Sequence, residues 1–235
     1  LVCSNSFRSD DVTSAVGLLK EEMRRLDSLI MRVAVECKVP AGKALAVDRQ
    51  KFSSKITAEL DAHPAITVTR EEVLQLPPAG EGVIVLATGP LTSEPLTDAL
   101  VQITGKERLA FYDAIAPIVS SDSLDMNIVY RMSRYDEEGP GDYLNCPMDK
   151  ETYIAFIHAL NTADYVPLKS FEEPKYFEGC LPVEVISSRG EDTLRYGPMK
   201  PVGLPDPRTG KDPYAVVQLR MENTEGTTYN MVGFQ

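Results

Sequence analysis

Residues 9–47 read SDDVTSAVGLLKEEMRRLDSLIMRVAVECKVPAGKALAV, and this stretch decides the fold class. Its apolar side chains recur every three or four positions from Val12 to Val33, which predicts one amphipathic helix. A serine and two aspartates precede the helix and supply N-cap chemistry, and Pro40 ends it. The short apolar run at residues 44–47 then predicts a strand. A helix followed directly by a strand indicates a mixed α/β protein.

The rest of the chain continues this alternation. Phe52, Ile56 and Leu60 recur every four residues and predict a helix that stops before Pro64. A further helix is predicted to begin after Asp149. Additional strands are predicted at residues 65–69, 72–76, 83–90 and 111–119 and in the apolar run that ends at residue 220. Aromatic residues are sparse before residue 111 and frequent after it, which predicts two differently built regions with a boundary near residues 90–105.

Bulk composition limits the classes of function. The chain has 235 residues, 43% of them hydrophobic and 25% charged, which is typical of a globular protein with a core. The net charge of -11 argues against nonspecific nucleic-acid binding over the whole surface. The apolar runs are too short for a membrane span and no signal segment opens the chain, so we expect a cytoplasmic protein without membrane contact. Two histidines and four separated cysteines predict no metal site.

Basic side chains gather locally between residues 189 and 220, where six Lys or Arg face four acids. Such a cluster can bind phosphates even on an acidic protein. An ordinary solvated mixed surface is an equally good interpretation of the same residues. The candidates for nucleic-acid contact are Arg195, Lys200, Arg208 and Lys211.

One cysteine stands in a distinctive setting. Residues 176–185 read YFEGCLPVEV, so that Cys180 lies between Gly179 and Pro182 and beside two aromatic rings. A thiol among residues that shape the backbone is a candidate nucleophile. Cys37 is interpreted as a small buried apolar group and Cys146 as a structural residue, with a reactive thiolate as the alternative for each.

A second candidate site lies at the end of the predicted strand at residues 83–90. The strand ends in Ala87, Thr88 and Gly89, and glycine there lets the backbone pass close to a ligand such as a flavin. A plain exit from strand to turn is the better interpretation when this motif is taken alone.

Eight segments taken together resemble the folate- and FAD-dependent tRNA (uracil-5-)-methyltransferase family. They run in order along the whole chain: LVCSNS (1–6), GLLKEEMR (17–24), ALAVDR (44–49), ATGPLTS (87–93), SRY (133–135), DYLNCPM (142–148), YFEGCLP (176–182) and GPMKP (197–201). The family's enzymes begin with a glycine-rich FAD loop that is not found here. We therefore expect the chain to be a central portion of such an enzyme.

The resemblance implies a more specific fold. It places part of a FAD-binding Rossmann-like domain of the glutathione-reductase type at residues 1–95. A smaller α+β insertion domain that faces tRNA and folate is expected at residues 96–220. Residues 221–235 would form a strand that returns to the FAD-binding domain.

The resemblance also implies an activity. The family methylates C5 of the T-loop uridine of tRNA, with 5,10-methylenetetrahydrofolate as one-carbon donor, reduced FAD as hydride donor and NAD(P)H as the reductant of the flavin. Cys180 matches the family's uracil nucleophile, and Cys3 matches its second catalytic cysteine. Thr88, Gly89 and Val73 are the positions expected to contact FAD.

Two other functions remain open from the sequence. The chain could be a tRNA-docking module that contributes shape and phosphate contacts but no chemistry. It could also belong to a flavin oxidoreductase that acts on a small molecule without tRNA.

Overall fold

The structure is a computed structural model that describes residues 4–78, 80, 82–89, 92–105, 116–134, 141–164 and 181–234. Within these residues the chain forms two antiparallel sheets with helices packed against them. The mixed α/β class expected from the sequence is confirmed. Cys3 and Cys180 lie outside the described residues.

The first sheet has three strands in the order β1, β3, β2. These strands are β1 (Ser6–Ser9), β2 (Lys38–Val39) and β3 (Ala44–Val47), and β3 is the strand predicted from the sequence. Three helices accompany them: α1 (Ala15–Arg25), α2 (Leu29–Glu36) and α3 (Arg49–Ala62). Their apolar faces meet the sheet in a small core that includes Met31, Val33, Leu45, Val47 and Phe52.

The single helix predicted from Val12 to Val33 is wrong, because the chain forms two helices there. Helix α1 ends in a turn in which Asp27 adopts a φ of 53°. The Asp27 amide donates to the Arg24 carbonyl and the Ser28 amide donates to the Met23 carbonyl, which is the Schellman arrangement of a helix C-terminus. The apolar spacing continues across this break, so periodicity does not reveal it. The N-cap of α1 is Ser14, not the residues at positions 9–11.

The second sheet has five strands in the order β4, β8, β7, β6, β5. Its strands are β4 (Ile118–Ser120), β5 (Tyr130–Arg131), β6 (Tyr143–Met148), β7 (Ala215–Met221) and β8 (Thr228–Met231). The central pair β6 and β7 keeps register from Tyr143 opposite Arg220 to Met148 opposite Ala215. A short 3-10 helix, Ser121–Ser123, follows β4.

Helices cover one part of this sheet. Helix α5 (Lys150–Thr162) begins at Asp149, whose side chain accepts from the Thr152 amide as the sequence predicts. The short helices α6 (Val183–Ser188) and α7 (Thr193–Tyr196) follow. Tyr153, Leu194, Met199 and Leu219 are almost fully buried in the core between these helices and the sheet.

The strands predicted at residues 65–69, 72–76 and 83–90 are wrong for the residues described there. These stretches carry no assigned strand, and Val83 and Val85 are 95% and 80% exposed. A β-strand needs a neighbour for its backbone hydrogen bonds, and no described strand pairs with these residues. Helix α4 (Glu94–Thr104) follows and ends at Gly105, which adopts a left-handed φ of 65°.

The structure tests two further predictions only in part or not at all. Residues 111–115 of the run predicted as a strand lie outside the described residues, and its end forms β4. The predicted division at residues 95 and 220 stays a prediction, although β8 pairs with β4 and β7 in the five-stranded sheet. None of the helices in the described parts of the chain combines the length and apolar character needed to cross a bilayer.

Candidate functional site

Arg195 lies at the C-terminal end of α7 and is held between two tyrosines. Its guanidinium carbon lies 4.2 Å from the centroid of the Tyr214 ring and 5.2 Å from that of Tyr196. Its Nε donates to the Tyr214 carbonyl at 2.8 Å and its Nη1 donates to the Tyr196 hydroxyl at 3.1 Å. Cation–π contacts of this kind are worth about 0.5–2 kcal/mol. Arg195 is therefore a positioned, half-buried cation beside the exposed Tyr196.

Lys200 is exposed on the turn that follows α7. The Lys200 amide donates to the Gly197 carbonyl at 3.2 Å and closes the turn. Arg134 binds the backbone at the end of this turn. Its guanidinium donates to the carbonyls of Lys200 and, at 2.6 Å, Val202. Arg134 also reaches β7, where its Nε donates to Gln218 Oε1 at 3.1 Å. The turn is therefore tied to the centre of the five-stranded sheet.

Arg208 is engaged by a neighbouring carboxylate. Its Nη2 lies 2.6 Å from Asp206 Oδ2, and its backbone amide donates to Asp206 Oδ1 at 2.9 Å. The Arg208 hydrogen bonds hold the pKa of Asp206 below its usual value, and Asp206 raises the pKa of Arg208 in return. Asp206 is buried, and its amide donates to the Lys211 carbonyl at 2.9 Å. Arg208 thus stabilises a surface turn, whereas Lys211 is exposed on that turn.

The positions expected to contact FAD lie in the extended stretch without strand structure. Thr88 Oγ1 is 2.7 Å from Thr92 Oγ1, and Val73 is 51% exposed. Gly89 has a φ of 71°, and no heavy atom lies within 4 Å of the place where a Cβ would stand. The backbone at Gly89 is thus open to a ligand, and Thr88 presents an exposed hydroxyl beside it. Their assignment as FAD contacts stays a prediction.

Burial disfavours thiolate formation at the two described cysteines. Cys37 is buried against α3, and burial raises its pKa. Cys146 lies on β6 opposite Val217, and burial raises its pKa to about 11. A thiol with such a pKa is almost entirely protonated near neutral pH and does not attack. The interpretation of Cys37 as a buried apolar group agrees with this burial.

A polar seam, defined by Asn5, Asp48, Arg220, Glu222 and Thr224, joins the two sheets and was not recognised from the sequence. Asn5 is fully buried; its Nδ2 donates to the carbonyls of Val47 and Met221 at 3.0 and 2.9 Å. Arg220 Nε donates to Asn5 Oδ1 at 2.9 Å, and its Nη2 donates to Ser4 Oγ at 2.6 Å. The seam thus anchors the residues directly after Cys3 to β7.

The second half of the polar seam is centred on Asp48. Its carboxylate caps α3 by accepting from the Lys51 amide at 3.0 Å, and it also accepts from the Thr224 amide at 3.0 Å. Arg49 forms an ion pair with Glu222. Lys51 Nζ lies 2.7 Å from Glu225 Oε1. The start of α3 is therefore bound to the hairpin between β7 and β8.

The whole sequence of the chain matches a known protein family. A family model described as glucose inhibited division protein A matches residues 1–235, which is the whole chain. The chain belongs to the glucose inhibited division protein A family. Within the described residues of this family member, no group of three or more His, Cys, Asp or Glu side chains could hold a metal ion.

Curated relatives align with all 235 residues of this chain. A protein of Desulfotalea psychrophila named methylenetetrahydrofolate–tRNA-(uracil-5-)-methyltransferase TrmFO is 67% identical over 235 residues, which are 100% of this chain and 53% of that protein. Proteins of the same name from Moorella thermoacetica and Anoxybacillus flavithermus are 59% and 58% identical over the whole chain. The chain spans about half the length of these relatives. The resemblance stated from the sequence is confirmed.

Proposed function

We propose that this chain is part of an enzyme that methylates C5 of the T-loop uridine of tRNA, with 5,10-methylenetetrahydrofolate as the one-carbon donor. The observation that carries the proposal is the 67% identity, across all 235 residues, with a relative whose name states a folate-dependent tRNA (uracil-5-)-methyltransferase. This level of identity extends over the residues of both sheets and of the polar seam, and it favours an activity shared with that relative. A cytoplasmic location and the units 1–95, 96–220 and 221–235 remain part of this proposal.

Cys180 is the proposed nucleophile. Its thiolate would add to C6 of the uracil ring, which makes C5 electron-rich enough to attack the one-carbon unit. Loss of the C5 proton and departure of tetrahydrofolate would follow, and hydride addition to the new carbon would expel the Cys180 thiolate and complete the methyl group. Cys3 is the proposed second thiol of the reaction. The support for this assignment is the resemblance, in which Cys180 and Cys3 match the family's two catalytic cysteines. Burial raises the pKa of Cys37 and Cys146, which disfavours either of them as the reactive thiolate.

FAD is the proposed hydride carrier, with NAD(P)H as its reductant. Thr88 and Gly89 would hold the flavin through a hydroxyl and an open backbone, and Val73 would contact it from the same extended stretch. When bound and reduced, the flavin supplies the hydride that completes the methyl group. The role of the chain at this place is to bind and orient the cofactor.

A methylation assay tests the proposal. The natural full-length protein that contains this chain would be incubated with unmodified tRNA, 5,10-methylenetetrahydrofolate, FAD and NADPH or NADH, and the nucleosides would be analysed for 5-methyluridine. We expect 5-methyluridine that depends on the folate and is lost in Cys180→Ser. Flavin reduction without any methylated tRNA would favour the small-molecule oxidoreductase instead. Salt-sensitive tRNA binding without methylation would favour a docking module.

A further inference from the structure

Tyr196 is an aromatic side chain that the fold leaves in solvent. It is 71% exposed, although its neighbours Leu194 and Met199 are fully buried. Exposing a large aromatic ring forgoes the free energy of burying it, and aromatic side chains are among the strongest contributors to binding surfaces. The Tyr196 ring is therefore available for contact with a partner.

The Tyr196 turn, defined as residues 195–200, is rigidly attached to the protein. The Met199 amide donates to the Leu194 carbonyl at 2.8 Å, and the Val216 amide on β7 donates to the Met199 carbonyl at 3.0 Å. The Met199 side chain belongs to the core that α5 and the five-stranded sheet enclose. A ring presented on such a base loses little conformational entropy when it binds a partner.

Arg195 fixes the ring itself. Its guanidinium lies near the Tyr196 ring and binds the Tyr196 hydroxyl, while Tyr214 holds the guanidinium from the other direction. Tyr214 is itself held in place, because its hydroxyl donates to the Asp192 carboxylate at 3.4 Å. Most of the Tyr196 ring stays exposed despite the contact with Arg195.

We propose that Tyr196 is a stacking platform for an unpaired base of the RNA substrate, with Lys200 contacting an adjacent phosphate. The proposal rests on the proposed tRNA function, and it deepens that function by naming a base-contacting residue. Single-stranded loops of RNA are recognised by stacking on aromatic rings with basic groups close by. Tyr196 and the exposed Lys200 offer this combination on one turn, on a protein whose net charge of -11 would repel RNA elsewhere.

RNA binding by the natural full-length protein tests the proposal. The probes are an unmodified T-arm hairpin transcript and a blunt RNA duplex of equal length, which has no unpaired bases. The variants are Tyr196→Ala, Tyr196→Phe and Lys200→Ala. The control is Val202→Ala, which removes an exposed apolar side chain two residues after Lys200. Thermal unfolding of each variant checks that the fold is retained.

We expect Tyr196→Ala to weaken hairpin binding roughly 5- to 100-fold and to leave duplex binding unchanged. Tyr196→Phe keeps the ring and should bind within about threefold of the wild type. Lys200→Ala should lower the slope of log affinity against log salt by about 1, whereas Tyr196→Ala should keep the slope, because stacking releases no counterions.

Three outcomes would overturn the inference. They are wild-type affinity in Tyr196→Ala, equal losses for hairpin and duplex, or a loss in Tyr196→Phe as large as in Tyr196→Ala. Each leaves the proposed function intact if wild-type protein still methylates tRNA. A wild-type protein that neither binds the hairpin nor methylates tRNA would contradict the proposed function as well.

Discussion

Arg220 donates a 2.9 Å hydrogen bond to Asn5, a residue 215 positions away in the sequence. The bond joins β7 of the five-stranded sheet to the segment that leads into β1 of the three-stranded sheet. Both side chains are buried, so the bond is shielded from water and leaving either partner unpaired is costly. This contact links two sheets that local sequence patterns describe separately.

Replacing Arg220 should destabilise the protein strongly. Arg220→Met keeps much of the side-chain volume but leaves the Asn5 and Ser4 oxygens without their donor, at a cost of about 2–4 kcal/mol in the free energy of unfolding. Urea unfolding of the variant and the wild type measures this loss of free energy. The matched control is Arg131→Met, because Arg131 is exposed on β5 and should change stability by less than about 0.5 kcal/mol. Equal effects of the two substitutions would show that the seam contributes little.

Asp48 should make the polar seam sensitive to acid. Burial alone raises the pKa of Asp48, but the hydrogen bonds from Lys51 and Thr224 more than offset this, and the net pKa is lowered. A lowered folded-state pKa means that the stabilisation is complete above the unfolded value of about 3.9 and is lost as pH falls through the folded-state pKa.

The variant Asp48→Asn isolates this contribution, since asparagine does not titrate and turns an amide donor toward either the Lys51 or the Thr224 amide. We expect it to be less stable than the wild type by about 1–3 kcal/mol near neutral pH. The gap should narrow below about pH 4. Urea unfolding of both proteins between about pH 6 and pH 3 measures the gap, and a gap that does not change with pH would argue against this role of the carboxylate.

Arg208 and Lys211 should behave differently although the sequence groups them together. Arg208→Ala removes the partner of the buried Asp206 and should lower the free energy of unfolding measurably. Lys211→Ala should leave stability within about 0.5 kcal/mol and act on RNA affinity alone. Chemical denaturation combined with a salt titration of tRNA binding separates the two effects. A stable Arg208→Ala variant with a reduced salt slope would restore Arg208 as a phosphate contact.

The two described cysteines should resist alkylation in the folded protein. A pKa of about 11 for Cys146 leaves very little thiolate at about pH 8. Even after allowing for the higher nucleophilicity of a basic thiolate, its reaction should be at least about tenfold slower than that of a free thiol. Peptide mass spectrometry after brief iodoacetamide treatment measures each site, with urea-unfolded protein as the reference. Rapid labelling of folded Cys146 would contradict the assignment of burial as the cause.

Local patterns predicted part of the local structure. The helix after Asp149 follows from its capping residue, and α3 and the strands β3 and β7 follow from apolar patterns that act within a few positions. The break between α1 and α2 escaped prediction because Asp27 takes a left-handed conformation while the apolar spacing around it stays helical.

Structure that depends on distant partners could not be predicted in this way. Residues 83–88 have the composition of a strand but no described strand pairs with them. The seam joins Asn5 to Arg220 across nearly the whole chain, and no local pattern signals such a contact. Resemblance to the family pointed to Cys180 and Cys3, and their catalytic roles remain predictions.

The most direct test of the central claim is covalent capture of tRNA at Cys180. Full-length protein would be mixed with 5,10-methylenetetrahydrofolate, reduced flavin and tRNA carrying 5-fluorouridine in the T-loop, and the adduct would be mapped by mass spectrometry. Fluorine takes the place of the C5 proton that a base must remove before the thiolate leaves, and it cannot be removed in that way, so the bond between sulfur and C6 should persist. We predict an adduct on the peptide that contains Cys180 and none in Cys180→Ser. An adduct that forms on another cysteine, or that survives Cys180→Ser, would contradict the account.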